Sequence, residues 1–84
     1  MPVVLRIKGY RFWFYEADLD EPPHVHVGKE GHEAKYWLAP PALANSRGFR
    51  DHELSEIERI LTDYQNDILQ VWRREQGKRD QREG

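Results

Sequence analysis

The pattern of apolar and polar residues near the start of the chain predicts a β-hairpin. Residues 3–15 contain the runs VVLRI and YRFWFY on either side of Lys8-Gly9. If those two residues form the turn, residues equidistant from it face each other across the strands. Every such pair on one face is then apolar, as expected for a register that a buried face selects: Ile7 with Tyr10, Leu5 with Phe12 and Val3 with Phe14.

A second hairpin is predicted between Pro22 and Leu38. Two adjacent prolines favour an extended backbone, and the His-Val-His-Val run that follows has the strict alternation of a strand. We place the turn at Lys29-Glu30, which pairs Val27 with His32, His26 with Glu33 and Val25 with Ala34. The face toward the core then carries Val25, Val27, Ala34, Tyr36 and Leu38. The opposite face carries His24, His26, Glu33, Lys35 and Trp37.

The second half of the chain predicts one long helix. Apolar residues recur at spacings of three and four from Leu54 to Trp72, which is one stripe of an amphipathic helix that begins at about Arg50. Before it, Pro40-Pro41 ends the hairpin and residues 42–48 form a short edge segment.

The predicted fold class is therefore α+β. A small antiparallel β-sheet, made of two hairpins and the edge segment, carries one long C-terminal amphipathic α-helix packed on one face. Residues 1–75 form this single domain. Residues 76–84 lack an apolar anchor and are predicted to form a disordered tail.

Composition and charge narrow the class of protein. The chain has 84 residues and no cysteine, so it has neither a disulfide framework nor a thiolate metal site. The first ten residues lack the apolar core of a signal peptide, and no apolar run approaches the roughly 20 residues of a membrane helix. We therefore expect a cytoplasmic protein with no membrane partner. The net charge of −2 is unlike the strong positive charge of many nucleic-acid binders, which makes RNA a weaker expectation.

His24 and His26 are the most chemically suggestive residues, because side chains two apart on a strand lie on one face. Two imidazoles can hold a divalent metal with Glu33 of the same face as the third ligand. They can also act as acid and base in metal-independent RNA cleavage, with Lys35 stabilising the phosphate charge, or in a small metal-dependent hydrolase. We give more weight to a structural role within the sheet, and we assign no enzyme activity and no cofactor from this pattern.

Aromatic and basic residues accompany the two histidines. Trp13, Tyr15 and Trp37, with Arg11, are the residue types that dominate protein interfaces, and they also stack on single-stranded RNA. Because the net charge is negative, we favour a protein partner over RNA. The predicted contact surface comprises Arg11, Trp13, Tyr15, His24, His26 and Trp37.

Four motifs carry a family resemblance: GYRFWFY at 9–15, PPHVHV at 22–27, GHEAKYWL at 31–38 and LANSRGF at 43–49. They are similar to the uncharacterised bacterial family called domain of unknown function 4160. The resemblance implies a small bacterial protein, often encoded beside another small open reading frame in a toxin–antitoxin-like pair. Many members have Ser where this chain has Arg50, and such a Ser would cap the helix, a contribution of about 1 kcal/mol.

The function predicted from residues and resemblance together is a protein-binding module, one member of such a gene pair, with a small cognate protein as its partner. The ribonuclease and the metal-binding module stay open as alternatives.

Overall fold

The computed structural model describes the backbone of residues 3–83 and the side chains of residues 5–78. In this part of the chain, five strands form one antiparallel sheet in the order β1-β2-β3-β4-β5, and one long helix, α1, follows them. The elements are β1 Val3–Ile7, β2 Tyr10–Trp13, the 3₁₀ helix η1 Glu16–Asp20, β3 His24–Lys29, β4 His32–Leu38, β5 Pro41–Arg47 and α1 Asp51–Glu83. The predicted α+β fold is confirmed, with β5 as the edge segment.

Both hairpin turns place glycine at their second central residue. Lys8 and Gly9 have φ values of 54° and 83°, and Glu30 and Gly31 have φ values of 51° and 82°. Positive φ at both central residues matches the twist of the flanking strands, and glycine adopts it without steric cost. The first turn lies where it was predicted. The second lies at Glu30-Gly31, so the predicted turn at Lys29-Glu30 is wrong by one residue.

The displaced turn changes the partners of β3 but not the faces. Val27 faces Ala34 rather than His32, and His26 faces Lys35 rather than Glu33. Each partner has moved by two residues, and side chains alternate with a period of two, so every residue keeps its predicted face.

The first hairpin departs from its prediction at one pair. Ile7 faces Tyr10 and Leu5 faces Phe12 as expected, but a register shift between Val3 and Leu5 brings Val3 opposite Trp13 instead of Phe14. An extra residue in one strand of an antiparallel pair produces such a shift.

The core lies between the sheet and α1. The Tyr36 hydroxyl shares its one proton between the Leu54 carbonyl (3.3 Å) and Glu58 Oε2 (3.4 Å), and Gln65 Nε2 donates a hydrogen bond to the Leu38 carbonyl (2.6 Å). These bonds fix the helix across the sheet. The sheet contributes seven buried residues to this core: Tyr10, Phe12, Val25, Val27, Ala34, Tyr36 and Leu38. Phe49 joins them, with five residues of α1: Ile57, Ile60, Leu61, Ile68 and Leu69.

A second, smaller cluster holds η1 against the later part of α1. Phe14, Leu19 and Trp72 are all buried in it, and Gln76 Nε2 donates a hydrogen bond to the Leu19 carbonyl at 3.1 Å. The helical backbone continues through Glu83. A disordered tail over residues 76–84 stays a prediction, and its last residue, Gly84, lies outside the described residues.

Helix α1 begins one residue after Arg50, which occupies the position of the N-cap. The Glu53 carboxylate accepts the Arg50 backbone N–H at 3.0 Å, and this bond holds the pKa of Glu53 below its ordinary value. Arg50 offers no side-chain oxygen as a cap, and the N–H of Glu53 donates instead to the Arg50 backbone carbonyl at 3.0 Å. Among the residues that the structure describes, no helix has the length and apolar character needed to cross a membrane.

Candidate functional site

Asp18 reaches the start of β3 because η1 folds the acidic segment back over the sheet. The backbone N–H of Tyr15 donates a hydrogen bond to Asp18 Oδ2 at 2.8 Å. Leu19, the next residue, is buried against Phe14 and Trp72. The backbone bond and the buried neighbour together fix the direction of the Asp18 carboxylate.

The carboxylate of Asp18 lies between the two strand histidines. His26 Nε2 is 3.0 Å from Asp18 Oδ2, and His24 Nε2 is 3.3 Å from Asp18 Oδ1. One ligand atom from each residue lies within 4.8 Å of the others, and no other group of three His, Cys, Asp or Glu side chains does so in the part of the chain that is described. We call these three residues the Asp-His-His cluster.

Asp18 is held in its ionised form. Burial acts to raise the pKa of its carboxyl group, but the Tyr15 N–H and the two imidazoles outweigh this effect and lower the pKa below its usual range. The cluster therefore presents a carboxylate to both imidazoles.

His24 is buried, with only 1% of its surface exposed. Its Nδ1 is 3.0 Å from the Pro22 carbonyl oxygen, and a carbonyl only accepts, so Nδ1 carries the proton of this bond. The Nε2 atom has no hydrogen-bond partner among the described residues. It is near enough to Asp18 Oδ1 for attraction if the ring is charged, but the contact lacks hydrogen-bond geometry. A buried polar atom in that state is uncommon and calls for a physical reason.

Aromatic rings enclose the two imidazoles. Trp13 stacks on His26 with ring centroids 5.8 Å apart, and Tyr15 meets the same ring edge-on at 5.2 Å. Trp37 and Trp72 contact His24 at 5.7 and 5.4 Å. All three tryptophans of the chain therefore touch one of the two histidines.

Trp13 is packed flat on the sheet over Gly28. A Cβ atom at Gly28 would lie 2.9 Å from the Trp13 ring, so the close approach requires glycine. Only 9% of Trp13 remains exposed, whereas Tyr15 is 46% exposed. Of the predicted contact surface, Arg11 and Tyr15 are exposed and Trp37 is half-buried, but Trp13 and His24 contribute packing rather than accessible surface.

Glu33, predicted as the third metal ligand, lies outside the Asp-His-His cluster. It faces Gly28 across the strand pair, and its carboxylate is 4.0 Å from Arg47. Lys35 faces His26 directly and is 3.4 Å from Glu21 Oε1. The carboxylate that the structure brings to the two histidines is Asp18, which sequence reasoning did not single out.

The geometry gives little support to RNA cleavage by His24 and His26 as acid and base. Both groups would have to touch the substrate. His24 is buried beneath Trp37 and Trp72, and its Nδ1 is occupied by a backbone carbonyl. Of the two histidines, only His26, whose side chain is 20% exposed, is accessible to an RNA substrate in this arrangement.

Basic residues outnumber acidic residues on the strands of the sheet face that is turned away from α1, which we call the open face. One row of directly paired residues crosses the five strands from β1 to β5, in the order Arg6, Arg11, Gly28, Glu33 and Arg47. Arg6 and Arg11 are both exposed, and neither has an acidic partner among the described residues. With Lys35, the described strand residues of this face include four cations and one acid, Glu33. The η1 segment adds Asp18 beside the two histidines, and Glu21 lies 3.4 Å from Lys35.

The sequence of the folded part matches a known family. The family described as Domain of unknown function (DUF4160) matches residues 9–73, which is more than half of the chain. The chain belongs to this family. The predicted resemblance is thereby confirmed, and the DUF4160 match includes the Asp-His-His cluster and α1 as far as Arg73. No curated protein and no solved structure is significantly similar to the chain.

Proposed function

We propose that the protein is a binding module that docks an acidic segment of a small cognate protein on its open face. The observation that carries this proposal is the direct cross-strand pairing of Arg6 with Arg11, both exposed and without an acidic neighbour in the described residues. Like charges directly opposite each other destabilise a sheet. An acidic partner offsets that repulsion, so the electrostatic energy that destabilises the free protein favours binding.

Apolar contact is available beside the basic residues. Tyr15 is 46% exposed and Trp37 is half-buried, and tyrosine, tryptophan and arginine are the residue types that contribute most to interface energy. Trp13 packs against Gly28 and supports this surface without contributing much exposed area itself. Arg11, Tyr15 and Trp37 of the predicted contact surface keep their place in the proposal.

The partner that this proposal commits to is the product of a neighbouring small gene, as in a toxin–antitoxin-like pair. That arrangement is what the family resemblance implies for a bacterial member. The basic open face sets the chemistry of the partner, since an acidic segment is what it attracts and another basic surface is what it repels.

The test is co-expression with the small protein encoded beside the gene, followed by size-exclusion chromatography and calorimetric titration at two salt concentrations. Wild type is expected to co-elute with its partner, and Arg11→Glu to weaken binding at least about tenfold because it reverses one contact charge. Arg73→Glu makes the same change in net charge on exposed α1 surface and is expected to bind like wild type. Equal losses in the two variants, or no complex with wild type, would refute the proposal.

RNA is distinguished by a separate probe. A fluorescent single-stranded oligouridylate of 12 nucleotides is titrated in the same buffers, with fluorescence anisotropy as the measurement. We expect binding far weaker than that of the protein partner. Tight binding of RNA that Arg11→Glu abolishes, with no protein complex formed, would assign the open face to nucleic acid instead.

A further inference from the structure

We propose that Asp18, His24 and His26 bind one divalent transition-metal ion of the Zn²⁺ or Co²⁺ kind. Two independent observations carry this proposal, which does not depend on the docking role of the open face. One ligand atom from each of the three residues lies within 4.8 Å of the other two. In addition, His24 Nε2 is a buried nitrogen with no hydrogen-bond partner in the described residues, and it faces the same space.

The hydrogen bond from His24 Nδ1 to the Pro22 carbonyl selects Nε2 as the ligand atom. A histidine that binds a metal through one nitrogen commonly donates the other N–H to a carbonyl or carboxylate, which fixes its tautomer and ring direction. The 3.0 Å bond to Pro22 is of that kind. A neutral His24 then directs the Nε2 lone pair toward the carboxylate of Asp18, an arrangement that is repulsive unless a cation lies between them.

The spacing of the three residues suits a tetrahedral ion. Metal–ligand bonds of about 2.0–2.1 Å at tetrahedral angles separate the ligand atoms by about 3.3–3.4 Å. Asp18 Oδ1 is 3.3 Å from His24 Nε2, Asp18 Oδ2 is 3.0 Å from His26 Nε2, and one ligand atom from each residue lies within 4.8 Å of the others. A small adjustment is therefore needed before one carboxylate oxygen and both nitrogens surround a single ion. The side chain of His26, 20% exposed, can make this adjustment by rotation, whereas Asp18 and buried His24 are already directed.

The donor set determines the class of ion. Two imidazole nitrogens and one carboxylate oxygen favour Zn²⁺, Co²⁺, Ni²⁺ or Fe²⁺ over Mg²⁺ and Ca²⁺, which prefer oxygen alone. Three protein ligands leave one tetrahedral position for water. The 14% and 20% exposed side chains of Asp18 and His26 provide the way in.

A metal-free arrangement, with a proton on His24 Nε2 shared with Asp18, is the competing explanation. It requires a hydrogen bond between these two atoms, and the 3.3 Å contact does not have that geometry. A metal satisfies both atoms without such a bond, and it also occupies His26 Nε2. The two explanations differ in one measurable respect, because only a metal site takes up an ion in a fixed ratio.

The first experiment titrates Co²⁺ into full-length protein purified without an affinity tag, and then repeats the titration with Zn²⁺. Each of the three tryptophans contacts one of the two histidines, so bound Co²⁺ is expected to quench most of the tryptophan fluorescence. Zn²⁺ alone is expected to leave the emission unchanged, and Zn²⁺ added to the Co²⁺-bound protein is expected to displace Co²⁺ and restore the emission. Visible absorption of tetrahedral Co²⁺ and elemental analysis give the ratio, expected to be one ion per chain.

Two matched pairs of variants locate the ion. Asp18→Asn and Glu33→Gln each neutralise one carboxylate, and His26→Gln and His52→Gln each remove one imidazole. We expect Asp18→Asn and His26→Gln to weaken Co²⁺ binding at least about tenfold. Glu33→Gln and His52→Gln are expected to bind as wild type does, because neither residue belongs to the Asp-His-His cluster.

An independent measurement applies if a cluster variant fails to fold. In wild-type protein labelled with ¹⁵N, one equivalent of Zn²⁺ is expected to shift the Nε2 resonances of His24 and His26 and to leave those of His32 and His52 in place. The proposal is overturned if wild type takes up no ion at millimolar metal, if the cluster variants bind as tightly as their controls, or if Zn²⁺ shifts only His32 or His52.

Discussion

Replacing Arg11 by glutamate is expected to stabilise the free protein. Arg11 lies directly opposite Arg6, where Cβ atoms are about 4.5–5.5 Å apart, and the long side chains let the two guanidinium charges separate further, to about 7 Å. Two unit charges about 7 Å apart in water repel by about 0.6 kcal/mol. Reversing one charge turns this repulsion into an attraction of similar size, so Arg11→Glu gains about 1 kcal/mol of unfolding free energy at low salt.

Urea denaturation at three salt concentrations measures this gain. With a urea dependence of about 1 kcal/mol/M for a small domain, the midpoint is expected to rise by about 1 M at 10 mM NaCl. Screening reduces the rise to about half at 0.15 M and nearly abolishes it at 1 M.

Two controls separate the pair from other effects of the substitution. Arg11→Gln removes the repulsion without adding an attraction and is expected to give about half the rise. Arg73→Glu repeats the change in net charge elsewhere on the surface and is expected to give none. If Arg11→Glu is no more stable than wild type at 10 mM NaCl, or if its gain persists at 1 M, the two guanidinium groups do not repel and the reasoning fails.

Three further predictions test particular contacts. Arg50→Ser supplies a side-chain cap to α1 and is expected to raise the unfolding free energy by about 1 kcal/mol in a urea titration; no rise would mean that the bond from the Glu53 N–H to the Arg50 carbonyl already satisfies this end. Burial and the neighbouring Glu56 raise the pKa of Tyr10 to about 12, so unfolding free energy is expected to fall between pH 10 and pH 12 by up to about 1.4 kcal/mol per pH unit, and Tyr10→Phe should remove this part of the fall. Gly28→Ala places a methyl group against Trp13 and is expected to lower the melting temperature and change tryptophan emission, whereas Gly31→Ser, which meets no neighbour, should alter stability through its backbone alone.

The faces of the sheet could be predicted from the sequence, and the position of the second turn could not, although the signal was present. Both turns follow one rule, an ordinary residue and then glycine, each with positive φ. Lys8-Gly9 obeys it, and Glu30-Gly31 obeys it equally. Gly28 and Gly31 flank Lys29-Glu30 and look equivalent in the sequence. Gly28, however, lies in β3, where the Trp13 ring leaves no room for a side chain.

The candidate site could be predicted only for its strand residues. Alternation on β3 brings His24 and His26 to one face, and both belong to the Asp-His-His cluster. The carboxylate could not be foreseen, because the acidic segment before the prolines offers several acids and the fold of η1 decides which one turns inward. A local signal exists in hindsight. A tight helical turn often starts where an aspartate side chain accepts the backbone N–H of the residue three positions earlier, as Asp18 does with Tyr15.

The strands of the open face carry an excess of cations and the first half of α1 carries an excess of acids, so opposite charges are separated across this part of the sheet. The open face carries Arg6, Arg11, Lys35 and Arg47, while residues 51–67 of α1, on the other side, contain six acids and one arginine. An approaching anionic surface is attracted by the cations of the strands and repelled by the acidic half of α1, which favours contact through the sheet. The association rate of the protein with such a surface should therefore fall as ionic strength rises, even though its net charge of −2 would by itself oppose binding to an anion.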